Sequence, residues 1–322
     1  MENYREVRDW RQKHIGEVST CHFKLNKFHD DLIKYTVLQA MEKVQREQGN
    51  PPVPFAFFLM GSAGRMEQSI WSDQDHGIVF DGKVEHAGYF QRLGSEIAVG
   101  LEVAGYQLCD GGVMASNPLW CQSVIDWEQQ ITDWLKEASW TSLRHFSTFM
   151  DARVLIGEQQ LVMKIKKQAS TIINSYPRLS LRLAENVDFI KKGIGFFGQL
   201  LSDSFGKQSG KVQLKQTAIF PYVNALRILA VKQGVPQSST LSRFNGIKEE
   251  YPAIGSYEVY FVRLLQFRLR FQQEITSYEQ VHLISVDRLT KEDRKELKTL
   301  MKKGYELFSN TKEIIEGECS AR

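Results

Sequence analysis

The chain's 322 residues, 42% hydrophobic and 25% charged, are enough for about two globular domains with substantial cores. Its 41 Lys and Arg against 38 Asp and Glu leave a formal charge of +3, too small an excess to steer the whole molecule to nucleic acid. Cys21, Cys109, Cys121 and Cys319 lie far apart with no C-x-x-C pair, which argues against a disulfide framework or a paired-cysteine zinc site. A charged N-terminus and the lack of an apolar run of membrane-spanning length point to a cytoplasmic protein with no membrane partner.

Between Val18 and about Gln48, apolar residues such as Phe28, Leu32, Leu38 and Met41 recur at helical spacing, closed by the breaker Gly49-Asn50-Pro51-Pro52. Phe55 to Met60 reads as a buried strand ending at Gly61, and Gly77 to Phe80 as a second one. The residues between them leave room for a turn and a helix of about two turns. A helix is expected from Tyr89 to about Ala104, a third strand from Gly105 to Cys109, and helices over Trp120–Trp134 and Ser139–Phe149. From Leu161 to about Thr276 long amphipathic patterns, interrupted near Tyr176-Pro177, Gly206 to Gly210 and Gly234-Val235-Pro236, describe a mostly helical bundle. The tail from Thr290 to Ile315 reads as a last amphipathic helix. The expected division is residues 1–165, a domain with N-terminal helices and a glycine-turn site, and residues 166–322, a helical domain.

The segment with chemical content is FFLMGSAGRMEQSIWSDQDHGIVF, residues 57–80. Gly61 at a strand-to-helix turn lets backbone approach a phosphate closely and tolerates positive φ, while Ser62 adds a hydroxyl and the following helix start adds N–H groups. Asp73 and Asp75 flank Gln74, so in an extended segment both carboxylates project from one face. Such a pair suits a hard divalent cation, Mg²⁺ or Mn²⁺, together with the phosphates of a nucleoside triphosphate. Nucleotidyl transfer is the reaction class this implies.

GSAGRMEQSIWSDQD resembles the G-S-x-G-R-x-E-Q-x(3)-T/S-D-Q-D signature of the nucleotidyltransferases often found beside CBS and cyclic-nucleotide-binding domains. These are relatives of the uridylyltransferase that modifies nitrogen-regulatory PII proteins. GYQLCDGGVMASNPLW (105–120), FMDARVLIGEQQL (149–161) and LKQTAIFPYVNALRILAVKQGV (214–235) are similar to further blocks of that family, although Gln213 stands where an acidic residue is usual. The resemblance implies an α+β fold: a polymerase-β-like domain of mixed sheet with flanking helices, followed by the helical, substrate-binding half. It implies Gly61 and Ser62 at the phosphates and Asp73 and Asp75 as metal ligands. Superfamily members usually add a third carboxylate, for which Asp110 is the first candidate and Asp151 the alternative.

Arg65 is placed either to clamp triphosphate oxygens or to pair with Glu67 or an aspartate. Lys215, in the second half, is a further candidate for the triphosphate, as is Arg227, with a solvated helix face as the alternative. Gln74 and His76 alternate away from the aspartates, so Gln74 is read as structural and His76 as facing solvent or supporting the site from behind. Asn117 and Ser116 either touch the nucleotide or form an Asx-Pro turn. The expected activity is metal-dependent transfer of a nucleoside monophosphate from an NTP to a protein or small-molecule acceptor, in a signalling role, with a catalytically weak regulatory module as the alternative. No CBS-like or cyclic-nucleotide-binding segment fits beside two such domains, so a sensing partner is expected on another chain, and the helical half is suited to a homodimer interface.

Overall fold

The computed structural model describes residues 3–188, 191–202, 209–273, 275 and 277–320. Among the described residues no helix is long and apolar enough to cross a membrane. The chain divides into two units, Met1–Ala169 and Ser170–Arg322. With a mixed sheet in the first and helices dominating the second, the architecture is the α+β arrangement expected from the sequence.

Two helices open the N-terminal unit, α1 (Tyr4–Val18) and α2 (His22–Gln48). Then come β1 (Phe55–Leu59), the single-turn α3 (Gly61–Gly64), β2 (His76–Phe80) and α4 (Ala87–Val103). The unit continues with β3 (Cys121–Ser123), α5 (Val124–Glu137), α6 (Trp140–Phe149), β4 (Arg153–Gly157) and the start of α7 (Gln159–Ser175). The sheet order is β3-β2-β1-β4, with β1 antiparallel to both β2 and β4 and β2 parallel to β3.

β1 is buried at all five positions because it is central and covered on both faces. Phe55, Phe57 and Leu59 join the core that holds Leu32, Val37 and Val44 of α2 and Phe90, Leu93 and Ile97 of α4. Phe58, on the opposite face, meets Trp127 of α5 and Phe149 of α6, each with ring centroids 5.8 Å away. Side chains alternating in β1 thus join two helical layers to one sheet.

The structure departs from the sequence reading at short elements. The helix expected to run two turns beyond Gly61 stops after one, and Arg65 to Asp75 is irregular, with Met66 at φ 57°. The third strand expected over 105–109 shrinks to one parallel bridge, Asp73 to Gln107. The helix expected from Trp120 starts at Val124, where Ser123 caps it by accepting from the Asp126 N–H, and Cys121–Ser123 pairs with β2 instead. β4 was not anticipated, since Arg153–Gly157 offers an apolar run of only Val154-Leu155-Ile156 between an arginine and a glycine.

In the C-terminal unit, α7 is followed by α8 (Pro177–Asn186), β5 (Lys211–Gln213), a π-helical turn (Lys215–Ile219) and α9 (Phe220–Lys232). Then come α10 (Thr240–Ile247), α11 (Pro252–Gly255), α12 (Glu258–Arg270), β6 (Leu283–Ser285) and α13 (Lys291–Ser320). α9 is buried almost all round, as an interior helix must be, and α13 lies against it with the Tyr222 hydroxyl donating to the Leu300 carbonyl at 2.8 Å. β5 and β6 form an antiparallel pair that the helical reading did not include. Of the break expected at Gly206 to Gly210, residues 206–208 lie outside the described residues.

Candidate active site

β1 runs into Met60, whose N–H donates to the Asp75 carbonyl at 2.7 Å, so the strand delivers Gly61 directly against the Asp73-Gln74-Asp75 segment. Gly61 has φ 52°, and a Cβ built there would lie 2.0 Å from Asp75 Oδ2. Glycine is required twice over, by conformation and by the carboxylate occupying the space.

The aspartate segment is held from its other side by residues 107–113. The Gln74 N–H donates to the Gln107 carbonyl at 2.9 Å, the Gln107 N–H to the Ser72 carbonyl at 3.3 Å, and the His76 N–H to the Val113 carbonyl at 3.0 Å. With Asp73 opposite Gln107 in a parallel bridge, Asp75 and Cys109 are the next residues of equal parity. Ligand atoms of Asp73, Asp75 and Cys109 accordingly lie within 4.8 Å of one another, all three side chains half-buried. Asp110, one residue further on, has the opposite parity, is exposed, and is not in this group. Burial and the neighbouring Asp75 carboxylate push the Cys109 thiol up to about 12.

Behind the aspartates, Gln74 Nε2 donates to the carbonyls of Ala98 and Tyr106, both at 3.1 Å. That leaves Oε1 to accept from His76 Nε2–H at 3.1 Å, while His76 Nδ1 accepts from the Ala115 N–H at 3.2 Å. The ring is neutral with its proton on Nε2, and burial pushes it down to about 3. His76 is fully buried, which corrects a solvent-facing placement and matches a supporting one.

The other half of the glycine turn rests on buried charge. Arg65 Nε donates to Glu67 at 2.7 Å and Nη1 to Asp151 at 2.6 Å, and all three residues are buried. Arg153 donates to the carbonyls of Ala63 at 2.9 Å and Gly64 at 3.2 Å and grips Asp30 with both Nη atoms. A Cβ on Gly64 would lie 2.1 Å from the Asp151 carbonyl. Asp151 therefore packs beneath the turn, partnered by Arg65, and is not in the Asp73, Asp75 and Cys109 group. Ser62 is half-buried at the start of α3.

The Asn117 side chain caps the Pro118–Trp120 turn, accepting from the Leu119 N–H and donating to the Gly112 carbonyl, as the Asx-Pro reading requires. In the other unit, Lys215 opens the π-helical turn with its ammonium 5.7 Å from the centre of the Phe220 ring. The site residue the sequence reading missed is Cys109, whose signal lies in the register of Asp73 against Gln107, a pairing the sequence alone does not state.

Residues 7–140 match the family model described as "Putative nucleotidyltransferase DUF294", and residues 177–312 match that of the "Putative nucleotidyltransferase substrate binding domain". The chain belongs to this nucleotidyltransferase family. No curated protein matches it. The glycine turn, the aspartate segment and the Cys109 loop all fall within the first matched region, and Lys215 within the second.

Proposed function

We propose that the protein transfers a nucleoside monophosphate from a nucleoside triphosphate to a protein or small-molecule acceptor, with Asp73 and Asp75 holding the divalent cation. The observation that carries this reading is the convergence of the two carboxylates within 4.8 Å of each other, with Asp75 set against the backbone of Gly61, whose missing Cβ leaves room for it. The donor set fits such a cation: two carboxylates on one face, half open to solvent. A bound Mg²⁺ or Mn²⁺ would neutralise phosphate charge and stabilise the leaving pyrophosphate. Gly61 and Ser62 receive the triphosphate. An acceptor oxygen attacks the α-phosphorus, its bond to the β-phosphate oxygen breaks, pyrophosphate leaves with the electron pair, and the acceptor's proton passes to solvent.

A nucleotide-binding regulatory module is the second reading, favoured by one observation: among the described residues no third carboxylate joins Asp73 and Asp75. The test is to incubate the protein and a cell lysate with each α-phosphate-labelled nucleoside triphosphate and Mg²⁺ or Mn²⁺, comparing wild type with Asp73→Asn/Asp75→Asn. Metal-dependent labelling that the double variant loses is the expected result. Silence of both, with metal-nucleotide binding by wild type alone, would establish the regulatory module.

Gly61→Ala is expected to disturb the site more than the fold. The new methyl must displace the Asp75 carboxylate and adopt a φ that costs about 1–2 kcal/mol. Calorimetry should show Mn²⁺ binding weakened more than about tenfold with an unchanged far-ultraviolet circular dichroism spectrum; undiminished binding would remove Asp75 from the metal site.

A further inference from the structure

Cys109 has no part in the transfer just described, yet its placement is specific. The loop that carries it is tied to the aspartate segment on both sides of the cysteine, at Gln107 and at Val113, and is turned by Gly112 at φ 64°, whose N–H donates to the Cys109 carbonyl at 2.9 Å. Equal parity with Asp75 then sends the sulfur to the carboxylates, while Asp110 has the opposite parity. Asp151 and Glu67, carboxylates in the neighbourhood of the turn, are both partnered by Arg65. Among the described residues, no other His, Cys, Asp or Glu joins the group.

Building on the metal-dependent reading, we infer that Cys109 is the third protein ligand of the cation held by Asp73 and Asp75. The site is then a mixed carboxylate and thiolate site that prefers a borderline cation, Mn²⁺ or Zn²⁺, over Mg²⁺. The argument is one of donor chemistry. Two carboxylates alone are hard donors and suit Mg²⁺, which dehydrates reluctantly and gains little from sulfur. Replacing the usual third oxygen by a sulfur lowers the affinity for Mg²⁺ and raises it for cations that accept thiolate. On coordination the sulfur supplies its lone pair to the metal, and the thiol proton leaves to solvent.

Co²⁺ is the probe, because a cobalt–thiolate bond has a charge-transfer absorption in the near ultraviolet and a carboxylate bond does not. The full-length protein is titrated with Co²⁺, with and without a non-hydrolysable nucleoside triphosphate analogue, while calorimetry follows binding independently. The expected result is a charge-transfer band in wild type and in Cys21→Ser that is absent from Cys109→Ser and from Asp73→Asn/Asp75→Asn. Co²⁺ binding that depends on the aspartates but carries no such band in wild type would overturn the role of Cys109 and leave the metal-dependent reading standing. No aspartate-dependent binding under either condition would overturn both. Competition with Mg²⁺ gives a second measure: Cys109→Asp should shift the Mn²⁺ to Mg²⁺ affinity ratio towards Mg²⁺ by at least about tenfold. An unchanged ratio would overturn the inference.

Discussion

Asp151→Ala is expected to destabilise the N-terminal unit by about 3–5 kcal/mol, because it leaves the Arg65 guanidinium buried without one of its two carboxylates. The penalty comes from the arginine: Glu67 and Asp151 hold it firmly charged even though burial alone opposes the charge. Urea unfolding followed by tryptophan fluorescence would measure the effect, since Trp120 and Trp127 are fully buried in this unit. Arg65→Met combined with Asp151→Leu and Glu67→Leu should recover much of the loss, as apolar groups replace the whole ionic cluster. A loss below about 1 kcal/mol for Asp151→Ala, the range of an exposed pair, would show that Asp151 is not the buried partner of Arg65. It would reopen a place for Asp151 beside the metal.

What the sequence made legible, and what it did not, divides along physical lines. β1 and β2 were readable because unbroken apolar runs such as Phe55 to Met60 serve a strand buried on both faces. Long helices were readable from apolar spacing, and α6 begins beside the cap Ser139, which accepts from the Ser142 N–H. β3 was not readable, because three residues carry no periodicity and are fixed by neighbours distant in sequence, and for the same reason the strand expected over 105–109 survives only as the Gln107 bridge. The glycine turn and the aspartate pair stood out because their chemistry needs particular residue types at close spacing. The third member of the cluster depended on register: with a strand end at Cys109 and no partner strand, the sequence reading favoured the next carboxylate, Asp110, and only the pairing of Asp73 with Gln107 brings Cys109 forward instead. Arg65 was readable as either a phosphate clamp or an ion pair, and the structure has it paired with Asp151, 86 residues away.

Mild acid should destabilise the N-terminal unit, through two neutral histidines that brace the aspartate segment. His29 Nε2 donates to the Ser69 carbonyl at 2.8 Å while Nδ1 accepts from the Tyr106 hydroxyl at 2.9 Å. His76 is fixed between Gln74 and Ala115. Burial holds both rings down to about 3, with the Arg11 charge adding to the effect at His29. Arg11 donates to the Ile70 carbonyl at 2.8 Å and lies over the rings of Tyr106 and Trp71, so protonating His29 would add charge beside a buried cation. In the unfolded chain each imidazole titrates near about 6.5. Above that pH neither state takes a proton and the histidines leave stability unchanged. Between about 6.5 and about 3 the unfolded chain binds protons that the folded unit refuses, so stability falls by about 1.4 kcal/mol per pH unit for each histidine. The two together remove about 4 kcal/mol on going from pH 7.5 to 5, a large share of a single domain's stability. Because Ser69 and Gln74 are the groups released, the Asp73 and Asp75 pair should lose its geometry in the same transition. Urea midpoints from pH 7.5 to 5 would show the slope, and His76→Gln, whose amide can both donate to Gln74 and accept from Ala115, should roughly halve the contribution of the pair. A flat profile in wild type would mean that both rings already carry protons in the folded protein, and the hydrogen-bond assignment on which the brace rests would fall with it.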